Sequence, residues 1–230
     1  MENNGQNREQ NKEQTKLIYE INGFNTFVKV KRDALPIGKV MLAFVEYDKN
    51  TGKQKKVINI YMDKSDALKF ANDILSGKIE KAANASYEAS DKYPSPFWQS
   101  KLGGVNEANC KARKLRSDGK ALSRTFTLSV GALKDDGTRN PYVITANQQA
   151  AHSAKNGIII PEKGGKPELT IRVPVTVKED LEKMALEIQA QITAFYASEF
   201  LCKSLDGAKE EIFDQFKKLN DVIMEFVSMG

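Results

Sequence analysis

Histidine and cysteine, which supply many catalytic and metal-binding side chains, are scarce in this sequence. The 230 residues include one histidine and two cysteines. His152 has no cysteine or second histidine near it, and Cys110 and Cys202 lie far apart, so neither a metal-ligand spacing nor a Cys–His nucleophile is recognisable. We therefore expect no metal, no cofactor and no enzymatic activity.

Two further catalytic patterns are missing. The phosphate-binding loop GxxxxGK[ST] does not occur, and the segment Gly164-Gly165-Lys166 lies between two predicted strands, where we expect a hairpin turn. The carboxylates of the C-terminal third fall at solvent-facing helical positions and form no evident catalytic pair. These absences favour a binding or structural protein over an enzyme.

Long apolar runs are also lacking. No stretch of 18 apolar residues is present to span a bilayer, and residues 1–16 are polar, without the apolar segment of a signal peptide. We expect a cytoplasmic protein with reduced thiols and no membrane partner. Residues 1–16 also lack periodicity and aromatic side chains, which predicts a disordered tail.

Positive charge is concentrated in one part of the chain. Lys and Arg outnumber Asp and Glu by 35 to 30, which gives a net charge of +5 and a pI of about 9.0. The total alone is compatible with an ordinary solvated surface or with a polyanion partner. Between residues 101 and 124, however, seven basic residues oppose Glu107 and Asp118, so this segment matches the whole excess. The basic residues are Lys101, Lys111, Arg113, Lys114, Arg116, Lys120 and Arg124.

The hydrophobic pattern predicts strands followed by a helix in each half of the chain. Alternation predicts strands at 17–21, 24–31, 38–47 and 55–62, and again at 124–131, 142–147, 157–161 and 168–175. The first set leads into a helix that starts at the N-cap Asp63 and ends at Gly77. The second leads into a longer helix that starts at a capping box formed by Thr176 and Glu179.

These two halves align without a gap at a constant offset of 113 residues, which predicts an internal duplication. The alignment places Val45 and Tyr47 on Ile158 and Ile160, Gly52 on Gly165, Ile58 on Ile171, Ile60 on Val173, Asp63 on Thr176, and Leu75 on Ile188. Most basic residues do not repeat, so the duplication accounts for the fold, and any function lies in what differs between the copies.

We therefore predict an α+β fold with two tandem units, each an antiparallel sheet followed by a helix. Repeat one covers 17–77, a partly ordered basic linker covers 78–123, and repeat two covers 124–204. Asp206-Gly207 is expected to break the chain before a further helix at 205–230. Its apolar stripe, at residues 212, 216, 219, 223 and 226, predicts packing onto the domain or onto another copy in a homo-oligomer.

Several segments combine lysine or arginine with aromatic residues, as binding of single-stranded nucleic acid requires. Lysines at an outer strand face also protect a sheet edge, Phe126 or Tyr61 could be core residues, and Trp98 could either stack on a base or hold the linker on the core. The candidate binding residues are Lys29, Lys31, Lys53, Lys55, Lys56, Tyr61, Trp98, Lys111, Arg113, Lys114, Arg116, Arg124 and Phe126.

The order of elements from Leu17 to Phe200 resembles the Whirly family of single-stranded DNA-binding proteins, which includes phage-type members. The Lys-Gly-Lys motif of its plant members is not present, and its nearest counterpart is Gly52-Lys-Gln-Lys-Lys56. The resemblance implies sequence-tolerant DNA binding along the sheets, assembly through helices, and a role for Lys53, Lys55 and Lys56.

The leading hypothesis is thus a non-enzymatic protein that binds single-stranded DNA, or RNA, in phage or mobile-element replication or recombination. A second hypothesis is a structural or adaptor protein that oligomerises through its C-terminal helix. A third is a regulator that binds duplex RNA or DNA. Salt-sensitive binding to single strands would favour the first of these over the others.

Overall fold

The computed structural model describes residues 16–89 and 92–228, with side chains up to residue 218 except that of 216. The predicted tail at 1–16 lies almost wholly outside this part, as do the side chains of most of the predicted C-terminal stripe, at residues 216, 219, 223 and 226. The chain divides into two compact units, one ending at Gln189 and the other beginning at Ala190.

The first unit begins with a four-stranded antiparallel sheet, in which the strands follow one another in chain order. They are β1 (Leu17–Asn22), β2 (Thr26–Lys31), β3 (Lys39–Tyr47) and β4 (Gln54–Asp63). Two helices follow, α1 (Lys64–Leu75) and α2 (Lys78–Glu88). Asp63 is the N-cap of α1, as the sequence predicts, although its side chain makes no capping hydrogen bond.

A second antiparallel sheet contains the remaining strands, in the order β5-β7-β8-β10, with β6 on β7 and β9 on β8. Its elements are β5 (Trp98–Gln99), β6 (Gly104–Val105), α3 (Glu107–Ala112), β7 (Ala121–Ser129), β8 (Tyr142–Ser153), β9 (Ile159–Pro161), β10 (Leu169–Val175) and α4 (Glu179–Ser228). The α+β class with antiparallel sheets is thus confirmed.

The core lies between the two sheets, because each sheet turns one apolar face towards the other. Phe44 of the first sheet and Phe126 of the second are fully buried, and their ring centroids are 6.0 Å apart. The hydroxyl of Thr26 in β2 donates to the backbone carbonyl of Arg172 in β10 at 2.9 Å. Other fully or nearly fully buried residues on these inner faces are Val28, Val30, Leu42, Ile58, Leu128, Ile144, Ala146, Ile171 and Val173.

The predicted pairing of residues 157–161 with 168–175 is wrong. Strand β10 pairs instead with the first half of β8, so that Ile171 faces Ala146, and β9 pairs with the far end of β8, so that Ile159 faces Ser153. A turn beside two short strands suggested a local hairpin, but the first half of β8 offers a longer apolar partner. The correspondence of Ile158 and Ile160 with Val45 and Tyr47 therefore fails.

The predicted linker at 78–123 contains regular structure throughout much of its length, namely α2, β5, β6 and α3. Strands β5 and β6 both pair with β7. Gly104 permits this close approach because its φ is +154°, and a Cβ at that position would overlap the carbonyl oxygen of Leu122.

The expected helix break at Asp206-Gly207 is absent, and α4 continues through both residues. A glycine costs a helix about 1 kcal/mol relative to alanine, which is small beside the many backbone hydrogen bonds of a 50-residue helix. Helix α4 also begins at Glu179, beyond the predicted Thr176 cap.

In the part of the chain that the structure describes, no helix combines the length and apolar character needed to cross a bilayer.

Candidate nucleic-acid interface

The outer face of the first sheet carries cations and aromatic rings side by side. In cross-strand register, Lys29 of β2 lies beside Ala43 of β3 and Asn59 of β4, and the adjacent row aligns Lys31, Met41 and Tyr61. We name this surface the basic-aromatic face. It comprises Phe27, Lys29, Lys31, Met41, Tyr47, Asn59 and Tyr61.

Two aromatic positions mark its ends. The rings of Phe27 and Tyr47 are 5.9 Å apart, and the Lys29 ammonium lies 5.1 Å from the Phe27 centroid. At the other end, Tyr61 is 49% exposed. From ideal sheet spacings, Phe27 and Tyr61 lie about 16 Å apart. A lysine between two flat side chains fits a strand whose bases stack while its phosphates meet ammonium groups.

Lys29 is held on this face by an ion pair. Its ammonium lies 3.4 Å from a carboxylate oxygen of Glu20, on the neighbouring strand β1. Both side chains are partly exposed, so this pair adds little to stability. Lys29 can therefore exchange Glu20 for a phosphate at small cost.

The lysines of the β3–β4 hairpin differ in their surroundings. Lys53 is exposed at the turn, whereas Lys55 pairs with Asp48 at 2.8 Å. The hydrogen bond from Lys55, with those from the backbone of Thr51 and Asn50, lowers the pKa of Asp48 to about 2. Lys56 pairs with Glu46 at 2.8 Å on the opposite side of the sheet from Lys29. Lys56 is therefore not part of the basic-aromatic face.

Arg124 lies beside the edge of the first sheet. Its Nε donates to Gln148 Oε1 at 2.8 Å, and its Nη1 donates to the carbonyl of Asn59 at 3.3 Å. Burial lowers the pKa of the guanidinium, with a smaller contribution from the positive charge of Arg113. Both hydrogen-bond partners are neutral, so the cation has no carboxylate partner within the described residues.

The four basic residues between positions 111 and 116 differ in their surroundings. Lys111, Arg113 and Lys114 are exposed at the end of α3. Arg116 instead forms ion pairs with Asp118 and Glu168, each at 2.5 Å, and its side chain is only 12% exposed. These bonds raise the pKa of Arg116. Arg116 therefore joins two segments of the fold, and only the other three can reach a phosphate freely.

Phe126 is a core residue, and the partly buried Trp98 packs against it, which favours the anchoring alternative for Trp98 over base stacking. Phe126 is fully buried and lies 5.1 Å from the Trp98 ring. Trp98 also packs on Phe70 at 4.6 Å, and its Nε1 donates to Asp73. Both residues face the first sheet because β5 and β7 pair in the register that aligns Trp98 with Leu128. Trp98 thus holds the segment predicted as a linker on the core.

Two rings of the interface were not among the predicted site residues. Phe27 shares the face of Lys29 and Lys31 by simple alternation, a signal that the sequence carries. Tyr47 follows Met41, Ala43 and Val45 in the same alternation along β3, so the sequence carries this signal as well. Exposed Phe24, with Lys49 over its ring, extends the same pattern at the neighbouring loop.

The residues described by the structure include no group of three or more His, Cys, Asp or Glu side chains that could hold a metal ion. No family model, curated protein or solved structure matches the chain.

Proposed function

We propose that this protein binds single-stranded DNA, or RNA, on the basic-aromatic face. The observation that carries the proposal is the alternation of rings and ammonium groups on one open sheet face, from the Phe27–Tyr47 pair through Lys29 and Lys31 to Tyr61. Bases stack on the rings, and phosphates contact the lysines. Exposed Lys53, Lys111, Arg113 and Lys114 add further positive charge to the surface of the first unit.

The binding is expected to be sequence-tolerant. Every base offers a flat face for stacking, whereas sequence reading needs side chains that hydrogen-bond to base edges. The rings and lysines of the basic-aromatic face are suited to the first kind of contact. Such a protein would serve replication or recombination of a phage or mobile element in the cytoplasm, without catalysing a reaction itself.

We also propose that the two sheets are tandem copies of one Whirly-like unit. Strands β1, β2, β3 and β4 run in order into α1, and β5, β7, β8 and β10 run in order into α4. The match of Ile58 with Ile171 is supported by their partners, since Phe44 and Ala146 occupy the same place beside them. Strands β6 and β9 would then be additions to the second copy.

A second candidate function, self-association, is favoured by the described part of the C-terminal unit. Leu201, Leu205 and Ile212 are each more than half exposed, and their spacing of four and seven residues places them on one side of α4. A second copy of the chain offers the same stripe. Size-exclusion chromatography with light scattering should show a concentration-dependent mass that the double variant Leu205→Glu/Ile212→Glu reduces to that of a monomer.

Fluorescence anisotropy tests the binding proposal directly. Labelled single-stranded DNA, single-stranded RNA and duplex of equal length are titrated at low and at moderate salt. We expect the single strands to bind best and affinity to fall steeply as salt rises. A preference for duplex would support a duplex regulator instead. Absence of binding to every probe at low salt would overturn the proposal and leave the self-associating structural protein.

A further inference from the structure

A cleft separates the edge strand of the first sheet from the segment that precedes α3. Its volume is about 160 Å³. Residues 59–63 of β4 form one wall, residues 100–105 form the other, and Arg124 of β7 also lines it. Tyr61 belongs both to this cleft and to the basic-aromatic face, so the two surfaces adjoin.

The second wall is fixed by backbone contacts. Ser100 N donates to the carbonyl of Phe126 at 2.9 Å, and the Ser100 hydroxyl accepts from Phe126 N at 3.0 Å. Arg124 N donates to the carbonyl of Gly103 at 2.8 Å. These bonds to β7 hold residues 100–105 in place, so the cleft is preformed and a ligand need not order it.

Arg124 brings an uncompensated positive charge to the cleft. A half-buried arginine ordinarily pairs with a carboxylate, because desolvating the cation is costly. Here Nε and Nη1 donate to neutral oxygens, and Nη2 has no acceptor among the described residues. The positive charge of Arg113 repels that of Arg124 and lowers its pKa further. The electrostatics of this end of the cleft therefore favour an anion.

The two carboxylates that line the cleft already have partners. Asp63 pairs with Lys39 at 2.7 Å, and Asp66 pairs with Lys101 at 2.5 Å. Both carboxylates belong to the end of β4 and the first turn of α1, and their charges are offset locally. They leave the charge of Arg124 uncancelled and disfavour an anion at their own end.

We propose that the cleft binds the phosphate group of a nucleotide, held by Arg124 with the attached base against Tyr61. A guanidinium matches the planar arrangement of two phosphate oxygens, and the partly exposed Tyr61 ring offers a stacking surface. The inference deepens the proposed function, because it gives the bound strand one fixed nucleotide beside a face that otherwise accepts any sequence.

Single nucleotides test the cleft apart from the strand. Isothermal titration calorimetry at constant ionic strength compares thymidine 5′-monophosphate with thymidine, and inorganic phosphate serves as competitor. We expect the monophosphate to bind about 10- to 100-fold more tightly, the range for charge-assisted hydrogen bonds, and inorganic phosphate to displace it. Equal binding of the two compounds, or no binding of either, would overturn the inference.

A matched pair of substitutions at Gly103 tests the role of charge. A Cβ at Gly103 would have the carbonyl oxygen of Arg124 as its nearest neighbour, at an ordinary 3.9 Å, so a side chain is tolerated. Gly103→Asp places a carboxylate in the cleft and should weaken monophosphate binding at least tenfold, whereas Gly103→Asn, of the same shape, should not. Equal losses in both variants would contradict an electrostatic role for the cleft.

Arg124→Lys adds a test of geometry, because lysine keeps the charge and loses the two-pronged contact. We expect about a tenfold loss of monophosphate affinity in a variant whose thermal unfolding is otherwise unchanged. If this variant does not fold, the Gly103 pair decides. Affinity for the monophosphate that is unaffected in a folded Arg124→Lys protein would refute the assignment of Arg124.

Oligonucleotides separate the cleft from the proposed function. If the wild type binds single strands but Gly103→Asp binds them equally well and thymidine monophosphate does not bind, the cleft inference fails while the proposed function stands. If the monophosphate binds and no strand does, the proposed function fails while the cleft stands. Strands with and without a 5′-phosphate show whether the bound group is a strand end, by tighter binding of the phosphorylated strand, or an internal phosphodiester, by equal binding.

Discussion

The outer faces of the two sheets carry different side chains, although their inner faces contribute to the same core. The first sheet exposes Lys29, Lys31 and Tyr61 in adjacent rows. At the offset of 113 residues, Asn59 and Tyr61 correspond to Arg172 and Pro174 of the second sheet. The rows that contain them are Thr127, Thr145 and Arg172, and Ser129, Val143 and Pro174, with one cation and no ring. The hydroxyl of Thr170 even bonds Asn147 across the strands.

This difference shows which part of a two-sheet architecture is fixed by folding and which is free to acquire a function. Core residues must fill the space between the sheets, so both inner faces are apolar. Outer residues must only remain compatible with a strand and with water, which threonine satisfies as well as lysine. The combination of cations with aromatic rings, which these rows show in the first sheet and not in the second, is therefore not required by the fold, and it is the reason we propose the first sheet as the binding surface.

The largest expected effect tests whether the inner faces are equivalent. Phe44→Ala and Phe126→Ala each remove a fully buried ring, and each should lower the free energy of unfolding by about 3–5 kcal/mol. Urea denaturation measures the loss, with Thr127→Ala on the outer face as a control that changes it by less than about 0.5 kcal/mol. A mild effect at one phenylalanine alone would show that only one sheet depends on this contact.

Next in size is the effect of removing a stacking ring from the first sheet. Tyr61→Ala should weaken binding to single-stranded DNA by about 1–3 kcal/mol, the usual contribution of one stacked base. Tyr93→Ala is the matched control, because Tyr93 is 76% exposed but lies outside both sheets. Anisotropy titrations measure both variants. Equal losses would indicate that any exposed tyrosine serves, and the contrast between the faces would disappear.

A smaller effect concerns the salt dependence of binding. Lys29→Ala/Lys31→Ala removes two phosphate contacts and should reduce the slope of log affinity against log salt by about 1.4 for a single strand. Lys163→Ala/Lys166→Ala removes the same charge from the loop before β10, where both lysines are exposed. That control should leave the slope unchanged, and a matching change would assign binding to net charge instead of to the first sheet.

The smallest effect is the pH dependence of stability that comes from two loops bordering the sheets. Asp48, beside the first sheet, should titrate with a pKa of about 2, and Asp118, before β7, also has its pKa lowered by its bond from Arg116. Because folding depresses both pKa values, their stabilising contribution is present above the ordinary carboxyl pKa and is lost as pH falls through the depressed value. Carboxyl NMR shifts followed from pH 5 to pH 2 test whether both carboxylates stay ionised below the ordinary carboxyl range. A titration of Asp48 near 4 would mean that its bond to Lys55 does not persist in solution.

Much of the fold could be predicted from local pattern. The alternation at β4, β7 and β10 is strong because each strand has one face in the core. The partner of β10 could not be predicted, because residues 149–168 intervene and the choice between β8 and β9 depends on the packing of Ile171 against the other sheet. The continuity of α4 through Gly207 likewise depends on the sum of many residues and not on one.

The candidate site was predictable only in part. Lys29, Lys31 and Tyr61 were found because alternation assigns them to a face. The choice between stacking and packing stayed open for Trp98 and Phe126, because a ring next to cations has the same sequence signature whether it faces solvent or core. The cleft was not foreseen, since Gly103 and Arg124 meet only when β6 folds back on β7.

The hydrogen bond from Arg124 to Asn59 has a consequence for aggregation. Strand β4 pairs only with β3 in the described chain, so its other side exposes backbone groups to which a strand of a foreign molecule could add. Arg124 occupies one of the β4 carbonyls, and residues 100–105 lie alongside, which obstructs such addition. Loss of this arginine would therefore expose an unprotected edge strand, and the protein would be prone to polymerise edge to edge even while each molecule remained folded.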